Sequence, residues 1–309
     1  MNYVWGPLGA DVYARTYARR KPDGSREEWP DTVRRVVDGN CALVPEEHIQ
    51  PDERDRLYEL IETFALLPGG RHLWVGGVEG RQFSFNCHHS GWGERLRDHL
   101  GFLMNVLMTG GGSGSSYSNS AFERLPAPAG VVEPRFVAPT HLNRAEFGHR
   151  LGSPSRGGVL YRVPDTREGW VEALCQLADL AEDGGGEITF DVSDVRPRGS
   201  AILGFGGTAS GPGPLVEMLA NVAEVLNACV GRPYTSLDLM SIDHAVASCV
   251  ISGNVRRSAR MAIKSWADPD IFEFIAAKSD PTQHWSTNLS VQIDDRFHLA
   301  MAIGGEDHP

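Results

Sequence analysis

The chain has 309 residues, 41% hydrophobic and 22% charged, a balance that excludes a disordered polymer and allows one or two domains with a large core. Its net charge of −11 excludes a non-specific nucleic-acid binder, which needs a basic face, but leaves small anionic ligands open to a few local arginines. No apolar run is long enough to span a bilayer, and the first twenty residues lack the charged-then-apolar order of a signal peptide. The expectation is a cytoplasmic protein with no membrane partner and no direct nucleic-acid binding. Five scattered cysteines, Cys41, Cys87, Cys175, Cys229 and Cys249, form no C-x-x-C or zinc-like spacing, which argues against a structural metal or a disulfide framework.

Residues 1–50 are polar and turn-rich. Helical apolar spacing runs through PDERDRLYELIETFALLPGG, 51–70, with Pro at its start and Pro-Gly-Gly at its end. HLWVGG and RQFSFNCHHS read as short extended segments, and ERLRDHLGFLMNVLMTGGGSG, 94–114, as an amphipathic helix running into glycines. Residues 121–160 have scattered Pro and Gly, no clear period, and read as loop. In TREGWVEALCQLADLAEDGGG, Trp170, Leu174, Leu177 and Leu180 line one helical face between Thr166 and the stop at Gly184–Gly186. A strand and turn follow in EITFDVSDVRPRG, then helices at 214–231 and 236–253. ARMAIKSW is a strand, DPDIFEFIAAKS a helix and TNLSVQIDD a strand. Mixed helices and strands with crossover-length connections predict an α/β fold with parallel pairing.

Four stretches could carry chemistry. GGGSGSS, 110–116, lacks the Lys of a P-loop and the last Gly of a dinucleotide fingerprint, so on its own it reads as a helix cap and loop. SFNCHHSGW places Cys87 beside Asn86, His88 and His89. Cys87 is either a buried thiol or a redox thiol whose neighbouring imidazoles favour the thiolate. Strand alternation sends His88 and His89 to opposite faces, so only one of them can flank Cys87. GNVRRSARMA sets Arg256, Arg257 and Arg260 at a turn, and DVSDVRPRGS offers Arg196 and Arg198. Guanidinium groups there are either solvated or suited to a nucleotide phosphate. Finally, GFGGTASGPGPL, 204–215, is either a flexible loop or a backbone that must pass close to something.

Several stretches, in order along the chain, resemble the monomeric adenosylcobalamin-dependent (class II) ribonucleoside-triphosphate reductases. They include LLPGGRHLWVGG, YRVPDTREGWVEAL, DVSDVRPRGSAILGFGGTASGPGPL, GNVRRSA and HWSTNLSVQID. The resemblance implies a ten-stranded α/β barrel with a finger loop, and thiyl-radical reduction of ribonucleotides with adenosylcobalamin. It implies a deoxynucleotide effector and a thioredoxin-type reductant. Domain organisation follows: a mainly helical region at 1–80, the start of the barrel at 81–120, an insertion-like segment near the effector site at 121–190, and the rest of the barrel at 191–309.

Residue by residue, the resemblance makes Cys87 one member of the reducing cysteine pair, with Asn86 before it. It makes Gly253, Asn254, Arg256 and Arg257 part of the loop that relays effector identity to the substrate site, and places Arg196 near the effector. GFGGTASGPGPL becomes a tight turn beneath the nucleotide sites. The family's N-x-C-x-E thiyl motif occurs nowhere in this sequence, and the pair's second cysteine has no counterpart. The expectation is an N-terminal portion, truncated before the finger loop and completed by a complementary C-terminal polypeptide. The alternative is a non-catalytic deoxynucleotide-binding fragment.

Overall fold

The computed structural model describes residues 3–79, 85–138, 158–202, 208–251 and 259–303. The chain divides into two units, Met1–Asn86 with Ile202–Gly206, and Cys87–Ala201 with Gly207–Pro309.

The first unit is helical. Helix α1 (Gly9–Val12) runs into a π turn (Tyr13–Tyr17), and α2 (Trp29–Cys41), α3 (Glu53–Glu62) and α4 (Gly70–Val75) follow. Pro30 opens α2, where a missing N–H costs nothing, and the Asp31 carboxylate accepts from the Glu28 N–H at 3.0 Å. Trp29, Val33, Val36 and Val37 present its apolar face to Tyr13, Ile61 and Leu73. Arg35, half-buried on the same helix, pairs with Glu27 at 2.6 Å and donates to the Leu73 carbonyl at 3.0 Å, which ties α2 to α4. HLWVGG, expected to be extended, is thus mostly α4. Six residues are too few for periodicity to separate helix from strand, and burial of Leu73 decides it.

The second unit holds two parallel sheets. The larger has the order β1 (Cys87–His89), β2 (Gly112–Ser116), β6 (Ala259–Ser265), β7 (Thr287–Gln292). The smaller has the order β3 (Val132–Val137), β5 (Gly186–Asp191), β4 (Val159–Arg162). Every strand pair is parallel, as the alternation of elements predicts. The smaller sheet lies wholly within the connection from β2 to β6, so it is an excursion from the larger one. Two expectations are corrected. The glycine run is no loop: Gly112–Ser116 is a central strand, where small residues fit between β1 and β6. Nor is 121–160 all loop, because β3 lies in it and β4 begins in it, β3 being hidden by Pro134 and by charges at Glu133 and Arg135.

Helix α5 (Leu96–Met108) joins β1 to β2 and buries Leu100, Leu103, Met104 and Leu107. It ends at the glycines in a Schellman turn: Gly110, at φ +79°, donates to Leu107 O, and Gly111 donates to Val106 O at 2.8 Å. A short α6 (Asn119–Phe122) follows β2. Helix α7 (Arg167–Glu182) starts at Thr166, whose hydroxyl accepts from the Gly169 N–H at 3.0 Å. Helices α8 (Gly213–Ala228) and α9 (Ser236–Ile251) lie close to the expected bounds, and α10 (Ile271–Ala276) and α11 (Asp295–Ile303) complete the described elements. Together α5, α7, α8 and α9 and the two sheets enclose one apolar core.

The turn before β3 passes very close to the end of α7. A Cβ at Gly130 would lie 1.9 Å from the Gly184 carbonyl oxygen, in backbone that cannot move aside alone. Gly130→Ala should therefore destabilise the chain by about 1–3 kcal/mol through overpacking. A lower denaturation midpoint would bear this out, and an unchanged midpoint would count against the close approach.

Candidate functional site

Cys87 opens β1 and is exposed, whereas Cys41, Cys175, Cys229 and Cys249 are buried. The reading of Cys87 as a buried thiol is thereby excluded. Burial pushes the thiols of Cys175 and Cys229 up to about 11, and that of Cys249 higher still, so these three stay protonated near neutrality. In register, Cys87 stands beside Gly112, and Gly112 beside Ala259. One residue along, His88, Ser113, Arg260 and Thr287 form a row on the opposite face of the sheet. His88 is half-buried there, its Nδ1 3.1 Å from the Gly112 carbonyl. His89 returns to the exposed face of Cys87, as alternation requires. Asn86 is exposed, and its side-chain oxygen accepts a hydrogen bond from Arg71.

The inner face carries a buried polar hub that sequence reading missed. Asp243 of α9, 2% exposed, accepts from His99 Nε2 of α5 at 3.1 Å and from the Tyr117 hydroxyl. Arg260 of β6 lies 3.8 Å from the same carboxylate and donates to Met240 O and Thr287 Oγ1. The other His99 nitrogen meets the Ser90 hydroxyl at 3.0 Å, and Trp92 stacks on the imidazole with ring centres 4.0 Å apart. Burial alone would raise the Asp243 carboxyl. The charges of His99 and Arg260 and the Tyr117 hydrogen bond outweigh it and hold the group below the usual carboxylate range. Ser90, His99 and Asp243 thus form a serine–histidine–aspartate line, but all three are buried, which makes it structural rather than hydrolytic. One signal was available: Asp243 falls at a core phase of the helix SLDLMSIDHAVASCVI, in step with Leu239, Met240, Val246 and Ala247.

Of the remaining candidates, one is described. Arg196, after β5 of the smaller sheet, donates to Asp165 at 2.6 Å and to the Ala201 carbonyl at 3.2 Å. Gly253, Asn254, Arg256 and Arg257 lie outside the described residues. Their flanks are placed, since α9 ends at Ile251 and β6 begins at Ala259, two strands from Cys87 in the same register row. The Gly-rich stretch is closed at its base by Ala201 bridging Thr208, while 203–207 lie outside the described residues. Between α8 and α9 runs a cavity of about 600 Å³ lined by Glu217, Met218, Val225, His244 and Ala245, with Gln283 at its side.

Comparison with known proteins places this geometry. The family profile for the insertion domain of B12-dependent ribonucleotide reductase matches residues 142–226, and that for the ribonucleotide reductase alpha domain matches 1–78. The first of these falls within the excursion between β2 and β6. A crystal structure of a B12-dependent (class II) ribonucleotide reductase superposes with a TM-score of 0.80 at 32% identity, covering 98% of this chain and 48% of that one. A Mycobacterium phage D29 protein, named for adenosylcobalamin-dependent ribonucleoside-triphosphate reductase, is 44% identical over 95% of this chain and 45% of its own length. The Lactobacillus leichmannii enzyme of that name is 35% identical over 95% of this chain and 46% of its own. The fold is therefore that of a ribonucleotide reductase catalytic chain. More narrowly, the protein belongs to the adenosylcobalamin-dependent, class II family, and it spans just under half the length of the relatives it matches.

Adenosylcobalamin is the cofactor of that family. Among the described residues, the α8–α9 cavity is of a volume suited to a nucleotide-sized ligand.

Two buried groups make stability depend on pH. His284, 5% exposed, is pushed down to about 4 by burial and by the Arg260 and His244 charges. The unfolded chain, with an ordinary imidazole near 6.5, binds more protons between those values, so acidification from about 6.5 to 4 destabilises the fold by on the order of 3 kcal/mol. Asp243 acts lower. Its folded carboxyl is depressed, so its stabilisation is whole above about 4, the ordinary aspartate value, and fades as pH falls through the folded one. In urea melts from pH 7 to pH 4, His284→Gln should flatten most of the wild-type slope. An unchanged slope would remove His284 as its source. Asp243→Ala, which strands buried His99 and Arg260, should cost about 3–5 kcal/mol at pH 7. A cost within experimental error would show that the hub holds nothing together.

Proposed function

We propose that the chain is the N-terminal portion of a ribonucleoside-triphosphate reductase that converts ribonucleotides to deoxyribonucleotides for DNA synthesis. The observation that carries this is Cys87, the exposed cysteine among five, set at the start of a parallel strand two strands from the foot of the 252–258 segment. Replacing the 2′ C–OH bond by C–H takes two electrons. Two thiols supply them, a disulfide forms and water leaves. Cys87 is one of the thiols. The other comes from a complementary segment, because the remaining cysteines of this chain are buried. The thiyl cysteine comes from such a segment too, since no N-x-C-x-E occurs here. A thioredoxin-type dithiol returns the electrons.

The effector is a deoxynucleotide. Its nucleoside end suits the α8–α9 cavity, where Glu217 can accept from hydroxyl or amino groups and Met218 and Val225 offer an apolar wall. Arg256 and Arg257, just beyond the end of α9, are suited to its phosphates. A second reading is favoured by one observation: this cavity lies in the chain while the thiyl motif does not. On that reading the chain is a non-catalytic deoxynucleotide-binding fragment. No described helix is long and apolar enough to cross a membrane, in keeping with work in the cytoplasm on soluble nucleotides.

Purified alone, the chain should bind deoxynucleoside triphosphates and reduce nothing. Combined with a segment bearing N-x-C-x-E, it should reduce ribonucleotides, and Cys87→Ser should abolish reduction while leaving effector affinity unchanged. Calorimetry and product chromatography read the two arms. Loss of both would make Cys87 structural, and turnover by the serine variant would remove it from the redox pair.

A further inference from the structure

The outer face of the larger sheet is chemically sparse around Cys87. Along its register row stand Gly112 and Ala259. Along the next row on that face stand His89, Gly114, Met261 and Asn288. Among these residues the imidazole of His89 is the only titratable side chain besides the thiol. The strand nearest to Cys87, β2, offers only glycine at both levels, so an open lane runs beside the cysteine and the histidine. Cys87, His89, Met261 and Asn288 are all exposed. The charged groups of the neighbouring strands, Arg260 and Lys264, belong to the inner face, where both are buried and partnered. His88, although adjacent in sequence, also belongs to the inner face. Residues two apart on a strand lie about 6.6 Å apart at the backbone, close enough for an imidazole to reach toward a thiol directly or through one water.

We propose that His89 is the proton acceptor and donor for the Cys87 thiol, the general base that opens Cys87 to attack and the general acid that lets it leave. The proposal rests on the redox reading of Cys87 given above and adds a residue to it. In the reduction, Cys87 and its partner thiol form an S–S bond as the 2′ C–OH bond breaks; the Cys87 proton passes through the imidazole to the leaving hydroxyl, which departs as water, and the second hydrogen and both electrons go to the 2′ carbon. In resetting, a dithiol reductant attacks the partner sulfur of the Cys87 disulfide. The S–S bond breaks, and Cys87 leaves as thiolate and takes, through His89, a proton that the dithiol gives up. The electrons come from the dithiol, which becomes a disulfide. No other described residue in these register rows on that face carries a titratable side chain.

The test needs no turnover. Iodoacetamide alkylates accessible thiols through the thiolate, releasing iodide, and the other four cysteines are buried, so the native 309-residue chain reports on Cys87. Mass spectrometry of the Cys87 peptide gives the rate from pH 5 to pH 9. The wild type should show a second inflection besides that of the thiol itself. In His89→Gln that inflection should vanish, with a several-fold slower rate at pH 7, while His88→Gln keeps it. An unchanged profile in His89→Gln would overturn the proposal, and so would loss of the inflection in His88→Gln alone. Failure of the redox reading itself would show elsewhere, as reduction surviving in Cys87→Ser with this profile intact.

Discussion

The second unit is organised around one buried carboxylate. Asp243 sits on α9, its hydrogen-bond donors come from α5 and from the residue after β2, and its cationic neighbour comes from β6. Removing such a charge from water costs several kcal/mol, which is offset only when every lone pair finds a donor or a cation. The requirement is geometric: α5, α9, β2 and β6 can satisfy Asp243 only in one mutual arrangement. Through Ser90 the same hub reaches the end of β1, three residues from Cys87. A second buried charge repeats the logic. Lys264, on the same face of β6, is met by Asn119 at 2.8 Å and by Asp268 and Asp270 at 3.0 Å. Apolar packing supplies most of the burial, but these pairs specify which strand lies beside which helix.

What could be read in the sequence was whatever repeats locally. Helix α7 shows its Leu174 and Leu177 stripe and its Thr166 cap, and β6 shows Arg260, Ala262 and Lys264 alternating with more exposed neighbours. Elements whose reason lies elsewhere in the chain were hidden. β2 is five small residues with no hydrophobic pattern, a strand only because β1 and β6 flank it. β3 carries Pro134 and two charges and is fixed by pairing with β5. The hub was hidden for the same reason, since His99 and Asp243 are 144 residues apart. Of the candidate site, alternation at Cys87–His89 was legible from residues alone. The roles of Arg196 and of the 253–257 stretch came only from resemblance, and Arg196 turns out to be engaged by Asp165.

The alternation of β6 also explains how the sheet separates its tasks. A strand sends successive side chains to opposite faces, so one register row can be all structure while the next is left for chemistry. Ser113, Arg260 and Thr287 are buried in the structural row. The rows on the other face hold glycines, an alanine, a methionine, an asparagine, and the side chains of Cys87 and His89. The charges of Arg260 and Lys264 are kept across the sheet and partnered there. Small residues on β2 leave space beside the cysteine that a larger side chain would fill. A thiol at a strand start is reactive or inert according to what its face presents, and here that face presents one imidazole and open backbone.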